Sequence, residues 1–291
     1  MKEICYFPGC SLHGPAREYG DSIRLVCKLL GISLMELQDW SCCGTTAAHS
    51  LNRELGISLA RRNLDLARWM GFDRVMTPCA GCFSRLATAS REITGKRDGF
   101  RSAENELSRS PYPMPDVIHL LRFLMEDVGE EALTISVHRS LKSLRLAAYY
   151  GCLLTRPRAV ARFDDPEQPV SMDRLLGFLG AETVQWSHKT ECCGGSYAAS
   201  DSSIVIELSS QVLEAAQQAG AQAIVVACPM CQMNLDSRQE AIAHYRKTRF
   251  NMPIIYLTQL MGLAYGLPFR LLGWKKLFVS PLPLLKIGEL V

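Results

Sequence analysis

The chain has 291 residues, which is enough for one large domain or two domains of ordinary size. Its composition, 48% hydrophobic and 21% charged, is that of a globular protein, and the net charge of +3 gives no reason to expect nucleic acid or a membrane surface as a partner. The chain does not open with a basic stretch followed by an apolar run, and no apolar segment reaches the ~20 residues that span a bilayer. We therefore expect a cytoplasmic protein without a membrane span.

Short apolar runs alternate with amphipathic segments from the first residues onward. The runs that predict β-strands are 2–7, 33–38, 73–77, 144–150, 182–186 and 222–227. The segments whose apolar residues recur at helical spacing include 17–30, 53–70 and 203–219. Met114 and Met252, each followed by proline, open apolar stretches through Leu124 and Leu260, and the charged, serine-rich segment 95–113 predicts an exposed loop. Strands that alternate with helices predict an α/β fold with mainly parallel strands.

The twelve cysteines contain an internal repeat. Ten of them follow the same order twice: a single cysteine, an adjacent pair, and a C-x-x-C motif. The first set is Cys10, Cys42, Cys43, Cys79 and Cys82, and the second set is Cys152, Cys192, Cys193, Cys228 and Cys231. Phe7-Pro8-Gly9-Cys10 corresponds in the same way to Tyr149-Tyr150-Gly151-Cys152. The repeat predicts two cysteine-rich domains, at 1–135 and 136–265, each with a small sheet flanked by helices, and a C-terminal extension at 266–291 packed on the domains.

Each cysteine group follows a predicted strand, so all three groups of one half should converge. The reason is that the carboxyl ends of parallel strands meet at one edge of a sheet, where ligands bind. Each C-x-x-C motif also begins a predicted helix, whose free N–H groups and positive dipole end lower thiol pKa values and stabilise negative charge. Gly44 and Gly194 follow the adjacent pairs, where a residue without Cβ lets the backbone turn sharply beside a bulky group.

The cysteine pattern favours iron–sulfur clusters over three other interpretations. Thiolates are the standard ligands of such clusters, and an adjacent pair can bind two metal atoms of a cluster but cannot easily bind one small ion with good angles. Structural zinc at the C-x-x-C pairs, or a thioredoxin-like dithiol, would leave the single and adjacent cysteines unexplained. Buried packing is our interpretation for Cys5 and Cys27, which have no counterparts in the other half. For His13, three residues after Cys10, we expect a surface or capping role rather than a place in a pocket.

The repeated order of single cysteine, Cys-Cys-Gly and C-x-x-C resembles the CCG-domain (cysteine-rich domain) family, and within it the B subunit of heterodisulfide reductase and its bacterial relatives. The resemblance runs from Phe7 to Cys231. It implies that each set of five cysteines holds a non-cubane [4Fe–4S] cluster and that the two clusters face a pocket where a disulfide is split. One cluster would be held by Cys10, Cys42, Cys43, Cys79 and Cys82, and the other by Cys152, Cys192, Cys193, Cys228 and Cys231.

The resemblance also implies a function and partners. The chain would be an oxidoreductase acting on a sulfur group, a disulfide or a lipoyl-type sulfur substrate, with the clusters themselves as the catalytic groups. It lacks the ferredoxin pattern C-x-x-C-x-x-C-x-x-x-C-P. Electrons would therefore pass through a separate ferredoxin-like iron–sulfur subunit and a flavoprotein subunit, as in the complexes of that family. The alternative is an electron-transfer role in a lactate-, glycolate- or quinone-linked complex, with catalysis elsewhere.

Overall fold

Two four-stranded parallel sheets form the framework of the computed structural model, which describes residues 2–45, 48, 51–95 and 112–290. The strands are β1 (Lys2–Tyr6), β2 (Ile32–Glu36), β3 (Arg74–Thr77), β4 (Asp116–His119), β5 (Arg145–Tyr149), β6 (Glu182–Thr183), β7 (Ala223–Val226) and β8 (Ile254–Tyr256). Their order is β2-β1-β3-β4 in one sheet and β6-β5-β7-β8 in the other, and neighbouring strands pair in parallel in both. The predicted α/β class and the predicted duplication are both confirmed.

Helices fill the connections between the strands. The α-helices are α1 (Arg17–Leu29), α2 (Arg53–Trp69), α3 (Ala80–Gly95), α4 (Leu120–Arg122), α5 (Gly129–Ile135), α6 (Cys152–Thr155), α7 (Arg158–Ala161), α8 (Ser171–Phe178), α9 (Ser202–Gln218), α10 (Pro229–Ser237), α11 (Gln239–Arg246), α12 (Leu257–Ala264) and α13 (Leu282–Ile287). A π-helix spans Phe123–Val128, and 3-10 turns lie at Cys10–His13, Gly195–Tyr197, Phe269–Leu271 and Trp274–Lys276. Among the residues that the structure describes, no helix has both the length and the apolar character needed to cross a bilayer.

Most predicted elements lie within one or two residues of the observed ones, and three differ. The run 182–186 is a strand only over Glu182–Thr183. The indole N–H of Trp186 donates a hydrogen bond to the carbonyl of Ala148 at 3.2 Å. The apolar stretches after Met114 and Met252 each begin with a strand, β4 and β8, which the sequence did not predict. Of the predicted loop 95–113, the part from 96 to 111 lies outside the described residues.

The two halves pack against each other through two equivalent contacts. In each contact, a helix between the first two strands of one half lies on the helices after the last strand of the other half. Helix α1 of the first half lies on α12 of the second, and α8 of the second half lies on α4 and α5 of the first. In the first of these contacts the rings of Tyr19 and Tyr256 stack at 4.1 Å, and the hydroxyls of Ser22 and Thr258 lie 2.7 Å apart. All four side chains are buried, so the interface between the halves is part of the core.

The C-terminal segment lies against both halves. Asp236 on α10 accepts the backbone N–H groups of Phe278 and Val279 at 2.8 and 2.9 Å. Gly273 sits against α1 so closely that a Cβ there would approach the Cβ of Glu18 to 2.4 Å. These contacts hold the segment in place, while the domain limits at 135 and 265 stay predictions.

A buried ion pair supports the second cysteine set. Lys189 donates to Asp173 at 2.8 Å, and both side chains are less than a tenth exposed. The hydroxyl of Tyr150 donates to the other oxygen of the same carboxylate at 2.8 Å. The carbonyl of Lys189 in turn accepts the N–H groups of Tyr150 and Gly151 at 2.9 and 3.1 Å. The pair therefore ties the end of β5 to the segment that leads into the second adjacent cysteine pair.

Breaking this ion pair should destabilise the protein strongly. Lys189→Met leaves the carboxylate of Asp173 buried without a cation, which typically costs about 3–5 kcal/mol of unfolding free energy. Anaerobic urea unfolding measures the loss. The double variant Lys189→Met/Asp173→Leu should recover much of it, because no buried charge is left uncompensated.

The matched control is Arg145→Met, which breaks an ion pair with Glu182 in which both side chains are at least half exposed. This change should shift the urea midpoint little, because exposed ion pairs contribute little to stability. Equal shifts for Lys189→Met and Arg145→Met would contradict the role assigned to the buried pair.

Candidate metal centre

The cysteine groups lie in the loops after the first three strands of each sheet. Cys10 follows β1, the pair Cys42–Cys43 follows β2, and Cys79 follows β3, directly before helix α3. The second half repeats this arrangement after β5, β6 and β7. In both halves the adjacent pair and the C-x-x-C motif converge at the carboxyl edge of the sheet, as the distances between their sulfur atoms show.

In the first set the second cysteine of the adjacent pair meets the last cysteine of the C-x-x-C motif. The Sγ atoms of Cys43 and Cys82 are 3.3 Å apart, and both side chains are buried. Thr45 Oγ1 lies 3.2 Å from Cys43 Sγ. The N–H of Gly44 donates to Cys42 Sγ at 3.4 Å. Cys10 and Cys42 are exposed, so this set reaches the surface on one side.

The second set repeats this geometry. The Sγ atoms of Cys193 and Cys231 are 3.7 Å apart, and the N–H of Gly194 donates to Cys192 Sγ at 3.3 Å. Asn234 donates to the carbonyl of Cys193 at 3.1 Å and lies 3.7 Å from its Sγ. The sequence analysis missed Asn234, although its place on α10, three residues after Cys231, puts both on one helix face.

The two sets touch each other through the first cysteines of their C-x-x-C motifs. The thiols of Cys79 and Cys228 adjoin each other across the interface between the halves, where Cys228 raises the pKa of Cys79 and Cys79 lowers that of Cys228. Beside them, the buried ring of His119 spans the same interface, with Nε2 3.0 Å from the carbonyl of Ala227 and Nδ1 accepting the N–H of Leu121. The buried thiols of the two halves therefore lie next to each other, which the spacing of cysteines along the chain did not predict.

Glycines allow the backbone to pass close to the sulfur atoms. Gly9 has φ 75° and Gly151 has φ 67°, a conformation that L side chains rarely adopt. A Cβ on Gly9 would lie 2.9 Å from Cys82 Sγ, and one on Gly151 would lie 3.1 Å from Cys231 Sγ. The segments that carry the two single cysteines can thus reach the C-x-x-C sulfurs only with glycine at these positions.

Without added positive charge, these closely spaced thiols cannot all be ionised at the same time. Hydrogen bonds with Cys42 and Cys82 lower the pKa of Cys43 to about 3, and a hydrogen bond with Cys152 lowers the pKa of Cys192 to about 6. Hydrogen bonds with the neighbouring thiols also hold the pKa of Cys228 well below its usual range.

The partner thiols behave in the opposite way. Their pKa values are raised by the hydrogen bonds they share and by burial; these thiols are Cys42, Cys79, Cys82, Cys152 and Cys231. Because each thiolate raises the pKa of the thiol beside it, all the thiols of a set can ionise only when positive charge is added.

These thiols fit the ligation of iron–sulfur clusters. In the described part of the chain, no three His, Cys, Asp or Glu side chains are grouped as the ligands of a single metal ion. The thiols instead meet as pairs that continue across both halves, an arrangement that suits a cluster with several metal atoms.

The remaining cysteines and His13 lie outside this centre. Cys5 and Cys27 are fully buried in the core, where burial raises the pKa of each to about 12, so their assignment to packing is confirmed. His13 is half exposed, lies 3.0 Å from Glu36 Oε1, and packs edge-on against Trp40. This is the surface role that we expected for it.

Comparison with known proteins agrees with the geometry. The model of the cysteine-rich domain (CCG) matches residues 4–87 and 146–236, which are the two halves. The chain is 33% identical to the 8-methylmenaquinol:fumarate reductase membrane anchor subunit of Wolinella succinogenes, covering 94% of this chain and 95% of that one. It is 30% identical to the B subunit of the ferredoxin:CoB-CoM heterodisulfide reductase of Methanosarcina mazei, covering 91% and 90%.

A solved structure shares the fold. It is that of a hypothetical protein from Helicobacter pylori, with a TM-score of 0.75 and 12% identity over 96% of this chain, which spans 52% of that longer chain. The duplicated sheets, the paired thiols and the two matches to the domain model lead to one conclusion. The chain belongs to the cysteine-rich (CCG) domain family.

Proposed function

We propose that this chain is the iron–sulfur catalytic subunit of a heterodisulfide-reductase-like complex, and that it reduces or forms a disulfide between two cluster sites. The observation that carries the proposal is that two equivalent thiol sets lie side by side, with Gly81 of the first C-x-x-C motif and Cys228 and Cys231 of the second lining one small cavity. Two equivalent redox sites this close can act together on one small substrate. The two relatives described above have names that place them in oxidoreductases.

Each cluster would be a non-cubane [4Fe–4S] cluster held by the five cysteines of one half. The proposed ligands are Cys10, Cys42, Cys43, Cys79 and Cys82 for one, and Cys152, Cys192, Cys193, Cys228 and Cys231 for the other. When bound, the clusters supply electrons one at a time and iron atoms that can stabilise a thiolate. A disulfide takes up two electrons, so two such sites match the chemistry.

The protein's own groups orient the sulfur atoms and disperse their negative charge. The N–H groups of Gly44 and Gly194 donate to the first thiol of each pair and so disperse negative charge. Asn234 holds Cys193 through both its carbonyl and its sulfur. Helices α3 and α10 begin at the C-x-x-C motifs and direct their positive ends toward the thiols.

We place electron exchange with partners at the first set. Cys10 and Cys42 are exposed, whereas Cys152 and Cys192 are only partly so. A separate ferredoxin-like protein could approach this side, with a flavoprotein beyond it. A cytoplasmic location belongs to the same proposal.

A second candidate function is electron relay without disulfide chemistry. It is favoured by the relative that is named as the membrane anchor subunit of an 8-methylmenaquinol:fumarate reductase. In this version electrons pass through both thiol sets between other proteins of a complex, and no substrate reacts on this chain.

The cluster assignment predicts the metal content. Anaerobically purified protein should contain about eight irons and eight acid-labile sulfides per chain, since each [4Fe–4S] cluster has four of each. Cys5→Ala and Cys27→Ser are matched controls that should leave iron unchanged and cost at most ~1–2 kcal/mol of stability. Tightly bound zinc without acid-labile sulfide, or loss of a cluster in either control, would contradict this assignment.

Damage to one site should distinguish the two candidate functions. Cys43→Ala and Cys193→Ala each remove a buried thiol from one set only. If both sites act on one disulfide, either change should nearly abolish disulfide reduction driven by reduced methyl viologen, with Cys27→Ser as the control. The spectrum of the other cluster must first be shown to be intact. Near-normal turnover in either variant would refute two-site catalysis and favour relay.

A further inference from the structure

A groove of about 250 Å³ opens between the two halves, next to both cysteine sets. One wall comes from the first half and includes Ser11 and Ala16. The other wall comes from the second half and includes Ser196, Ala199 and Met230. A volume of this size suits a small molecule rather than a protein segment.

The groove borders the thiols of both halves without being lined by them. Ser11 directly follows Cys10. Met230 lies between the two cysteines of the second C-x-x-C motif, and its Sδ would lie 3.3 Å from a Cβ built on Gly81 in the first motif. At Gly195, a Cβ would lie 3.6 Å from Cys193 Sγ and 3.2 Å from Met230 Cε. The groove is therefore lined by residues that adjoin cysteines of both sets in the chain.

The lining is polar only through uncharged groups. Among the residues that the structure describes, no charged side chain lines the groove, and Ser11 and Ser196 contribute hydroxyl groups to it. Arg238 reaches the carbonyl of Ala198 at 3.4 Å but does not itself line the groove. The thioethers of Met230 and Met233 add soft, polarisable contacts.

An anionic ligand would find no charged side chain in the lining of this groove. It would lose part of its hydration and approach a set of thiolates of the same sign. An uncharged ligand avoids both penalties, and hydroxyl or amide groups on it can pair with the hydroxyls of the two serines.

We propose that this groove binds an uncharged disulfide with short apolar arms and discriminates against anionic disulfides. The inference rests on the proposed disulfide function and names its substrate class. In the reductive direction the S–S bond breaks, two electrons and two protons are taken up, and two neutral thiols leave.

The test uses two disulfides with the same core. Hydroxyethyl disulfide is neutral, and 2,2′-dithiodiethanesulfonate carries two negative charges on an otherwise similar frame. With the cluster-loaded protein and reduced methyl viologen as the electron donor, kcat/KM should be at least about tenfold higher for the neutral compound. Because the discrimination is electrostatic, it should shrink as ionic strength rises.

A positive charge placed in the groove should remove most of the preference for the neutral disulfide. Ala199 is exposed and lies outside the thiol sets, so Ala199→Arg should fold and should improve kcat/KM for the anionic disulfide by about tenfold. Gln217→Arg adds the same charge at an exposed position on α9 that does not line the groove, and it should change neither value.

Equal kcat/KM values for the two disulfides with the unsubstituted protein would overturn the proposal. Equal changes in kcat/KM for the anionic disulfide in both arginine variants would also overturn it. If the viologen reduces the protein but neither disulfide reacts, the proposed disulfide function fails instead. Titration calorimetry with the oxidised, cluster-loaded protein then decides about the groove. Binding of hydroxyethyl disulfide alone supports the groove assignment, whereas equal binding of both compounds, or of neither, overturns it.

Discussion

Repulsion between neighbouring thiolates is the constraint on which the rest of the molecule depends. Two unit charges at the 3.3 Å that separates Cys43 from Cys82 repel by roughly 5 kcal/mol at an effective dielectric constant of about 20. A few such pairs would offset the whole stability of a typical domain, about 5–15 kcal/mol. The protein alone lowers this cost by sharing protons between thiols. Full ionisation needs cations among the sulfur atoms, which is what the iron atoms of a cluster would supply.

The fold meets this constraint by holding the two thiol sets, one from each half, in a fixed arrangement. The stacked rings of Tyr19 and Tyr256 and the hydroxyl pair of Ser22 and Thr258 fix the halves against each other within the core. His119 then joins β4 to the residue before Cys228. Because these contacts are buried, the distance between the two sets is determined by core packing rather than by flexible loops.

The sequence predicted the local arrangement well because local arrangement depends on periodicity and spacing. The ends of the predicted strands placed every cysteine group at a carboxyl edge of a sheet. Cys5 and Cys27 could be separated from the other ten cysteines because neither has an equivalent cysteine in the other half. The contact between Cys79 and Cys228 could not be predicted in this way, because it depends on how one half packs on the other. The same holds for the ion pair of Lys189 and Asp173, whose partners become neighbours only once α8 has docked. The strands β4 and β8 were missed because a short apolar run that leads directly into a helix has no period of its own.

The difference between Gly81 and Met230 bears on whether this protein could be built from two identical subunits. These residues occupy the same place in the two C-x-x-C motifs, and the methionine of one half lies over the glycine of the other. A side chain at 81 has no room, since even a Cβ there would lie 2.9 Å from Thr45 Cγ2. Two identical subunits would have to carry the same residue at both places. Two methionines would clash there, and two glycines would leave a void. Joining the halves in one chain frees the two positions to diverge, and an asymmetric centre can then arise from a symmetric ancestor.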